Sequence, residues 1–260
     1  MSNRIEQEFL QKKEPVRLNK YLSEAGICSR READRLIESG RVSVEGKTAE
    51  TGMKVLPGQN VRVGKRLVSR KDEMVMLAVN KPAGIVCTED HRERSSIVRF
   101  LDFPTRITYV GRLDKDSKGL LLMTNNGDII NKMMRANNRH EKEYKVTVDQ
   151  EITREFIQKM SSGVPILDTM TRPCTVTKLG KYTFTIILTQ GLNRQIRRMC
   201  DALGYHVKEL VRTRVMNINL GNLKTGEYRE LTDEELDCLY ELLLESSNEP
   251  AAKRHIENEN

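Results

Sequence analysis

The sequence has no tryptophan, and it has only four histidines and five cysteines among its 260 residues. No two cysteines form a C-x-x-C pair, because they lie far apart, at Cys28, Cys87, Cys174, Cys200 and Cys238. This spacing predicts neither a zinc ribbon nor a disulfide framework, so we expect reduced thiols. The histidines show no metal-ligand spacing either, and we expect them to be surface or structural residues.

Long apolar runs are missing as well. No stretch approaches the roughly 18 apolar residues of a membrane-spanning helix, and the first thirty residues lack the apolar core of a secretory signal. Glycine and proline are too sparse for a fibrous or low-complexity chain. The aliphatic content in turn argues against global disorder. These absences predict a soluble protein of the cytoplasm.

The sequence does have an excess of basic residues. The formal net charge is +7, and residues 16–70 alone hold twelve Lys/Arg against six Asp/Glu. A second basic segment, residues 190–214, holds six Lys/Arg against two acids. A basic surface of this kind favours polyanionic partners such as nucleic acid.

Composition and pattern divide the chain into four parts. Residues 1–15 are polar and are predicted to be a flexible N-terminus. Residues 247–260 are predicted to be a disordered polar tail, because they carry few apolar residues and several acids. Between them we predict a small domain over residues 16–71 and a larger domain over residues 72–246.

The small domain is predicted to hold two short helices followed by short strands. The first helix has an apolar stripe at i, i+3, i+4 and i+7, formed by Leu18, Tyr21, Leu22 and Ala25. The second begins at a capping box, Ser29 to Glu32, in which each side chain can satisfy a free backbone N–H. Valines that alternate with polar residues predict the strands, at Val42, Val44, Val61 and Val63.

Basic residues are concentrated on this predicted helix pair, with Arg30 and Arg31 in the first turn of the second helix. A solvated basic face is one interpretation of such residues. Their density on two short helices favours the other interpretation, which is contact with RNA phosphates. The candidate RNA-binding residues of the small domain are Arg17, Lys20, Arg30, Arg31 and Arg35.

The larger domain mixes strands and helices without a regular alternation. Apolar runs predict buried strands over residues 74–80 and 120–123, and alternation predicts a strand over residues 144–148. An apolar stripe predicts a helix over residues 193–203. Because the strands do not alternate with long helices, a doubly wound parallel sheet is disfavoured and a mixed α+β domain is predicted.

Three groups of residues in this domain could carry chemistry, and spacing alone leaves a structural alternative for each. Asp114, next to Arg112, could act as a nucleophile or base, or it could be an ordinary turn aspartate. Tyr144 could be an ordinary strand aromatic. The predicted helix places charged residues opposite its apolar stripe, where helix-surface ion pairs are the alternative to a ligand site: Arg194, Arg197, Arg198 and Asp201.

The run R-L-N-K-Y-L-S-E-A-G-I-C-S-R-R, residues 17–31, resembles an S4 RNA-binding domain. Four motifs of the larger domain are similar, in order, to those of the RNA pseudouridine synthases: N-K-P-A-G at 80–84, G-R-L-D-K-D-S-K-G-L at 111–120, K-E-Y-K-V at 142–146 and Q-G-L-N-R-Q-I-R-R-M at 190–199. The resemblance implies an α+β chain. In it, a small N-terminal S4 domain precedes a catalytic domain with a mixed, largely antiparallel sheet.

The resemblance also implies roles for individual residues. Asp114 corresponds to the essential aspartate, Tyr144 to the active-site tyrosine and Arg197 to the basic residue that pairs with the aspartate. Arg112 would help to fill the space vacated by a flipped uridine, and Arg194 and Arg198 would contact the substrate. Ser117 stands where the family commonly has threonine, which keeps the hydroxyl.

The implied reaction breaks the N1–C1′ bond of uridine, turns the uracil over and rejoins it through C5. Nothing is imported and no redox step occurs, so no cofactor and no metal are expected. The carboxylate could attack C1′, attack C6 of uracil or assist loss of a 2′ proton, and the sequence does not separate these routes. An arginine beside Asp114 would favour its ionised form.

The expected partner is structured ribosomal RNA, with the large subunit favoured because the S4 fusion resembles the branch of the family that modifies ribosomal RNA. A uridine of small-subunit RNA or of a tRNA anticodon is an alternative substrate. A non-catalytic S4 factor in ribosome assembly is an alternative of another class. We expect a monomer without a membrane partner, since RNA accounts for the charged surface.

Overall fold

The computed structural model describes residues 15–68, 74–90, 92–135 and 139–244. It divides into two compact units. One comprises residues 15–75 with Phe103–Thr108 and Thr124–Gly127, and the other comprises Met76–Asp102, Tyr109–Met123 and residues 128–244. The predictions for residues 1–14 and for the tail 247–260 lie outside the described residues. The predicted boundary at residues 71–72 also falls in a gap of the description.

The N-terminal part of the first unit contains two helices and six short strands. In chain order these are β1 (Val16–Arg17), α1 (Leu18–Glu24), α2 (Arg30–Glu38), β2 (Val42–Val44), β3 (Lys47–Thr48), β4 (Lys54–Val55), β5 (Val61–Val63) and β6 (Arg66–Val68). β3, β2, β5 and β6 form an antiparallel sheet in that order, and β1 pairs with β4. The predicted helix pair and short strands are confirmed.

The helices of this unit form where the apolar spacing predicted them. Leu18 and Leu22 of α1 and Ala33 and Ile37 of α2 are buried in one cluster with the strand valines. The backbone N–H of Glu32 donates to Ser29 Oγ at 3.3 Å, which confirms the predicted N-cap of α2. The opposite face of α2 therefore stays in solvent and carries its basic residues.

The rest of the chain contains five helices and eleven strands within the described ranges. In chain order they are β7 (Met76–Lys81), α3 (Ile97–Leu101), β8 (Thr108–Val110), β9 (Lys118–Thr124), α4 (Gly127–Met134), β10 (Lys142–Val148), α5 (Arg154–Ser162), β11 (Pro165–Ile166), β12 (Thr169–Met170), β13 (Thr175–Lys178), β14 (Thr183–Leu188), α6 (Gln195–Ala202), β15 (Val207–Val215), β16 (Ile218–Asn219), β17 (Tyr228–Glu230) and α7 (Asp233–Leu244).

The large sheet has the order β13-β14-β10-β15-β9-β7-β17, with β16 beside β15 and β8 beside β9. The pairs of β10 with β14 and β15 are antiparallel, whereas β15 pairs with β9 in parallel. This arrangement confirms a mixed, largely antiparallel sheet. β7 and β9 are buried along nearly their whole length, as their continuous apolar runs predicted.

The register of β10 determines which side chains share a face of this sheet. Tyr144 lies opposite Ile186 of β14 and Arg212 of β15, and Val146 lies opposite Phe184 and Leu210. The valine end of this face packs on α5 and α6 in an apolar core that includes Phe156, Met160, Met199 and Cys200. The same face therefore passes from a packed core at Val146 to a polar end at Tyr144.

Close packing and backbone conformation explain why residues 111 and 119, two positions of the 111–120 motif, are glycines. A Cβ on Gly119 would lie 2.3 Å from the carbonyl oxygen and 2.7 Å from the nitrogen of Arg212, the residue that it pairs with in β15. A Cβ on Gly111 would lie 2.7 Å from Met134 Sδ. Both glycines also have positive φ, which disfavours a side chain.

None of the helices in the described ranges is both long enough and apolar enough to cross a bilayer.

The start of α7 is fixed by a complete capping box that also holds an arginine. Glu235 N–H donates to Thr232 Oγ1 at 3.2 Å, and Thr232 N–H donates to Glu235 Oε2 at 3.0 Å. Arg229 donates to both carboxylate oxygens of Glu235 at 2.7 Å. These hydrogen bonds hold the pKa of Glu235 below its ordinary value, and the bond with Arg229 has the largest effect.

Glu235→Gln is expected to lower the free energy of unfolding by about 1–3 kcal/mol at neutral pH, because it removes hydrogen bonds to a charged group. A carboxylate whose pKa is lowered on folding stabilises the fold above its unfolded pKa, and this contribution is lost as pH falls through the folded pKa. The difference between wild type and variant should therefore shrink in acid. Urea titrations at neutral and acidic pH measure it.

Glu241→Gln is the matched control for this prediction, because Glu241 is an exposed residue of the same helix. It should change the free energy of unfolding by less than about 0.5 kcal/mol. Equal effects of the two substitutions at every pH would contradict the role assigned to Glu235.

Candidate active site

A cleft of about 430 Å³ lies at the polar end of the large sheet. Its wall combines the loop between β8 and β9, the first residues of β10, the segment that leads into α6, and two residues of β15, Leu210 and Arg212. The sequence-predicted residues that it brings together are Arg112, Asp114, Tyr144 and Arg194. Arg197 and Arg198 are not among the lining residues.

Asp114 is held in the cleft through the backbone on both of its sides. Leu113 N–H points to Cys87 Sγ at 3.5 Å, and Ser117 N–H donates to the carbonyl of Asp114 at 3.1 Å. The second contact closes a turn, so the structural alternative holds for this residue. Asp114 is an aspartate in a turn, and its side chain is partly exposed to the cleft.

Lys81 at the end of β7 fixes the loop that carries Asp114. Its side chain is fully buried, and Nζ donates to the carbonyls of Pro82 at 2.9 Å, Ile85 at 2.8 Å and Lys115 at 3.4 Å. Gly84 N–H donates to the same carbonyl of Lys115 at 2.8 Å. Burial lowers the pKa of Lys81, and nearby acidic groups, including Asp114, oppose that shift.

Arg194, and not Arg197, is the arginine that faces Asp114. Arg194 Nη1 lies 3.6 Å from Asp114 Oδ2. Arg197 instead donates through Nη1 to the carbonyl of Val207 at 3.3 Å, at the start of β15. The prediction that Arg197 pairs with Asp114 is therefore wrong for this structure.

The physical reason for this difference is the backbone at the start of α6. Arg194 is the N-cap residue and is left-handed, with φ 49° and ψ 36°. Its side chain therefore leaves the direction that a helical residue would take, and Arg194 and Arg197 do not share a face. Gln195 Oε1 accepts from Leu192 N–H at 3.1 Å and thereby supports this bend.

Arg198 supports the segment before α6 and does not reach the cleft. Its Nε donates to the carbonyl of Asn193 at 3.1 Å, and its Nη2 donates to Asn193 Oδ1 at 3.3 Å. The helix-surface ion pair of Arg197 with Asp201, which is the structural alternative for these residues, is absent from the described residues, and Asp201 contacts His206 Nδ1 at 2.9 Å. Arg198 therefore acts on the shape of the segment that carries Arg194.

Sequence reasoning missed three cationic residues of the cleft, Arg135, Lys142 and Arg212. Arg212 is 2% exposed, and its Nε donates to the carbonyl of Leu120 at 2.7 Å. The pKa of Lys142 is lowered to about 8, mainly by burial and to a smaller extent by the positive charge of Arg212. Lys142 stands in the K-E-Y-K-V motif and could have been found there. Arg212 sits in a strand with no local signal of its role.

The charge of the cleft wall is strongly positive. Asp114 is the sole carboxylate among its described lining residues, whereas five lining side chains are cationic: Arg112, Arg135, Lys142, Arg194 and Arg212. Such a surface suits a polyanion or a reaction that develops negative charge. Within the described ranges, no group of three or more His, Cys, Asp or Glu side chains could hold a metal ion.

The basic residues predicted to bind RNA in the small domain are mostly in solvent. Arg17, Arg30, Arg31 and Arg35 are exposed. Lys20 is partly buried, and its Nζ lies 3.4 Å from Glu24 Oε1. The four exposed arginines are therefore accessible to phosphates, whereas Lys20 shares its charge with an acid.

Comparison with known proteins supplies the family. Residues 75–202 match the family described as RNA pseudouridylate synthase, and residues 16–61 match the S4 domain. The dual-specificity RNA pseudouridine synthase RluF of Escherichia coli (strain K12) is 54% identical over 242 residues, which cover 92% of this chain and 83% of that protein. This chain belongs to the RNA pseudouridine synthase family.

Two further relatives agree with this assignment. The ribosomal large subunit pseudouridine synthase B of Bacillus subtilis (strain 168) is 37% identical over 232 residues, covering 86% of this chain and 95% of that protein. A solved structure described as pseudouridylate synthase is similar with a TM-score of 0.64 at 27% identity, covering 86% of this chain and 99% of that one. The synthase is therefore an enzyme, and the non-catalytic alternative is set aside.

Arg194→Met is expected to lower the rate of pseudouridine formation by about 100-fold, because it removes the charge that faces Asp114. Arg197→Met should retain most of the rate and instead lower the melting temperature, because it removes the bond to Val207. Release of tritium from RNA labelled at uridine C5 measures the rate. A larger loss of rate in the Arg197 variant would contradict this assignment.

Proposed function

We propose that this synthase converts a uridine of large-subunit ribosomal RNA to pseudouridine in the cytoplasm, with Asp114 as the essential residue and without a cofactor. The observation that carries the proposal is the single carboxylate of Asp114 in a cleft lined by five cationic side chains. The 37% identity to a ribosomal large subunit synthase supports the class of RNA.

A transfer RNA uridine is the second candidate substrate. The observation that favours it is the 54% identity to a synthase described as having dual specificity. One cleft can serve two RNAs when both present the same local shape around an unpaired uridine, because RNA is recognised largely through shape and unstacked bases. Small-subunit RNA has no such observation in its favour.

Asp114 and Tyr144 would act on the flipped uridine from two sides of the cleft. The carboxylate of Asp114, which faces Arg194 at 3.6 Å, would attack C1′ or C6 or assist loss of a 2′ proton. The ring of Tyr144 would stack on the base, and its phenol would take part in proton transfer. The exposed side chain of Arg112 would occupy the place that the uridine leaves in the RNA.

The small domain over residues 16–71 would supply affinity and the domain over residues 72–246 would supply chemistry. Contacts with phosphates position an RNA without reading its sequence, and the exposed Arg17 and the exposed arginines of α2 are of the right kind for them. A single chain contains both the phosphate-binding surface and the cleft, so we propose that the synthase acts as a monomer.

Asp114→Ala is expected to abolish turnover while RNA affinity changes little, because the carboxylate takes part in the reaction and most affinity comes from phosphate contacts. Tritium release is measured on large-subunit, small-subunit and transfer RNA transcripts in separate reactions. Asp116→Ala is the matched control, since Asp116 is an exposed acid of the same loop that does not line the cleft.

Release by wild type and by the Asp116 variant, but not by the Asp114 variant, on large-subunit RNA alone would support the proposed substrate class and the role of Asp114. Turnover by the Asp114 variant would remove that residue from the mechanism. Release from transfer RNA alone would replace the proposed substrate by the second candidate.

Replacing Arg30 and Arg31 together by alanine is expected to weaken RNA binding and to reduce the slope of log K against log salt by about 1–2. The reason is that fewer counterions are released from the RNA on binding when fewer phosphates are contacted. Filter binding across a salt series measures this slope. Replacing Lys159 and Lys181 is the control, because each lies beside its own glutamate, at 2.7 Å and 3.5 Å. Equal slopes in wild type and in the arginine variant would contradict phosphate contacts at α2.

A further inference from the structure

The guanidinium of Arg212 is a buried positive charge without a carboxylate partner among the described residues. Only 2% of the residue is exposed, and Nε is engaged by the carbonyl of Leu120. Nη2 is buried and has no hydrogen-bond partner among the described residues. A buried charged donor that lacks an acceptor is costly to the free protein, so its presence calls for an explanation.

Arg212 stands in the wall of the cleft beside the residues proposed to act on uridine. It lies opposite Tyr144 across the β10–β15 pair and opposite Gly119 across the β15–β9 pair. The hydroxyl of Ser117, which is also buried and also lines the cleft, is a second side-chain group without a partner in the described chain. The two unpartnered groups therefore belong to one wall.

The chemical nature of the group that would accept a hydrogen bond from Arg212 Nη2 follows from which parts of an RNA can enter the cleft. A phosphate stays on the RNA backbone at the mouth of a cleft, whereas a flipped base enters it. An arginine donates and does not accept, and it stays charged at any pH at which proteins are folded. The acceptor is therefore an oxygen of the base, and a full positive charge favours an oxygen that becomes negative during the reaction.

We propose that Arg212 binds a carbonyl oxygen of the reacting uracil and stabilises the negative charge that the base acquires when the N1–C1′ bond breaks. This inference rests on the proposed function, because it places the reacting uridine in the cleft of Asp114. Arg212 is then retained for the reaction and not for the stability of the sheet.

The electron count of the step explains why a fixed cation is useful there. When N1–C1′ breaks, the bonding pair stays with the uracil and spreads over N1 and the two carbonyl oxygens. When C5 bonds to C1′, the base supplies that pair to the new bond, N1 takes up a proton and C5 releases one. Arg212 exchanges no proton in this sequence, so its contribution is electrostatic.

The test compares wild type with Arg212→Ala, Arg212→Lys and Arg214→Ala on a pool of ribosomal and transfer RNA transcripts labelled at uridine C5. Arg214 is the matched control because it is a partly buried arginine of the same strand whose partners are Glu141 and Glu143. Single-turnover tritium release, RNA affinity and melting temperature are measured for each protein, with and without millimolar guanidinium. Tetramethylammonium at the same ionic strength controls for salt.

Arg212→Ala is expected to lose at least about 100-fold in single-turnover rate with little change in affinity, and guanidinium should restore part of the rate. Arg212→Lys should fold and should react more slowly than wild type. If the alanine variant does not fold, the single-turnover rate of the lysine variant tests the role of Arg212. Arg214→Ala should keep most of the rate.

A rate near that of wild type in the folded Arg212 variants would overturn the inference. So would a loss that guanidinium does not relieve and that follows the melting temperature, because that result would make Arg212 a structural link between β9 and β15. Wild-type release from transfer RNA alone would overturn the proposed large-subunit substrate and leave the comparison of the variants valid. No release by wild type would overturn both proposals.

Discussion

The buried ammonium of Lys81 is the interaction on which the geometry of the site depends. A buried charge that is not hydrated must form its hydrogen bonds with the protein. Lys81 donates to two carbonyls of the segment after β7, those of Pro82 and Ile85, and to the carbonyl of Lys115 in the loop that carries Asp114. The carbonyl of Lys115 belongs to the residue that follows Asp114. The position of the Asp114 carboxylate is therefore set by a backbone that is anchored to the end of β7, a buried strand of the large sheet.

The second constraint is the imbalance of charge around that carboxylate. One acid faces several cations, and two of these, Lys142 and Arg212, are largely withdrawn from water. Burial, and to a smaller extent the charge of Arg212, lowers the pKa of Lys142. Such a cleft is unfavourable when it is empty and favourable when an anionic substrate fills it, which is the pattern of a preorganised electrostatic site.

The basic residues of the chain fall into two kinds that differ in burial. Arg17 and the arginines of α2 are exposed, so the phosphate contacts proposed for them would be screened by salt and would contribute affinity. In the cleft, Arg112 and Arg194 are exposed, whereas Lys142 is partly buried and Arg212 is buried, so the fields of these last two act in a lower dielectric. On the proposed function, the excess positive charge would serve two separate purposes, affinity for RNA and stabilisation of charge in the cleft.

Local pattern was sufficient for much of the fold. The apolar stripe of α1, the capping residue Ser29 and the alternation along β10 each appear in the structure where the sequence placed them. These features depend on residues within one turn or one strand, so neighbouring residues carry the information. The motifs around Asp114 and Tyr144 likewise identified two cleft residues, because the family resemblance lies in contiguous segments.

The sequence by itself therefore determined the two-part organisation, the mixed sheet and the identity of Asp114 and Tyr144 as cleft residues. Only the tertiary structure decided which cations meet them. A left-handed residue before α6 turns Arg194 toward Asp114 and leaves Arg197 on the helix. The pairing of β15 with β9 and β10 carries Arg212 into the same wall. Both outcomes depend on backbone conformation and on contacts between distant segments, which side-chain spacing along the chain does not encode.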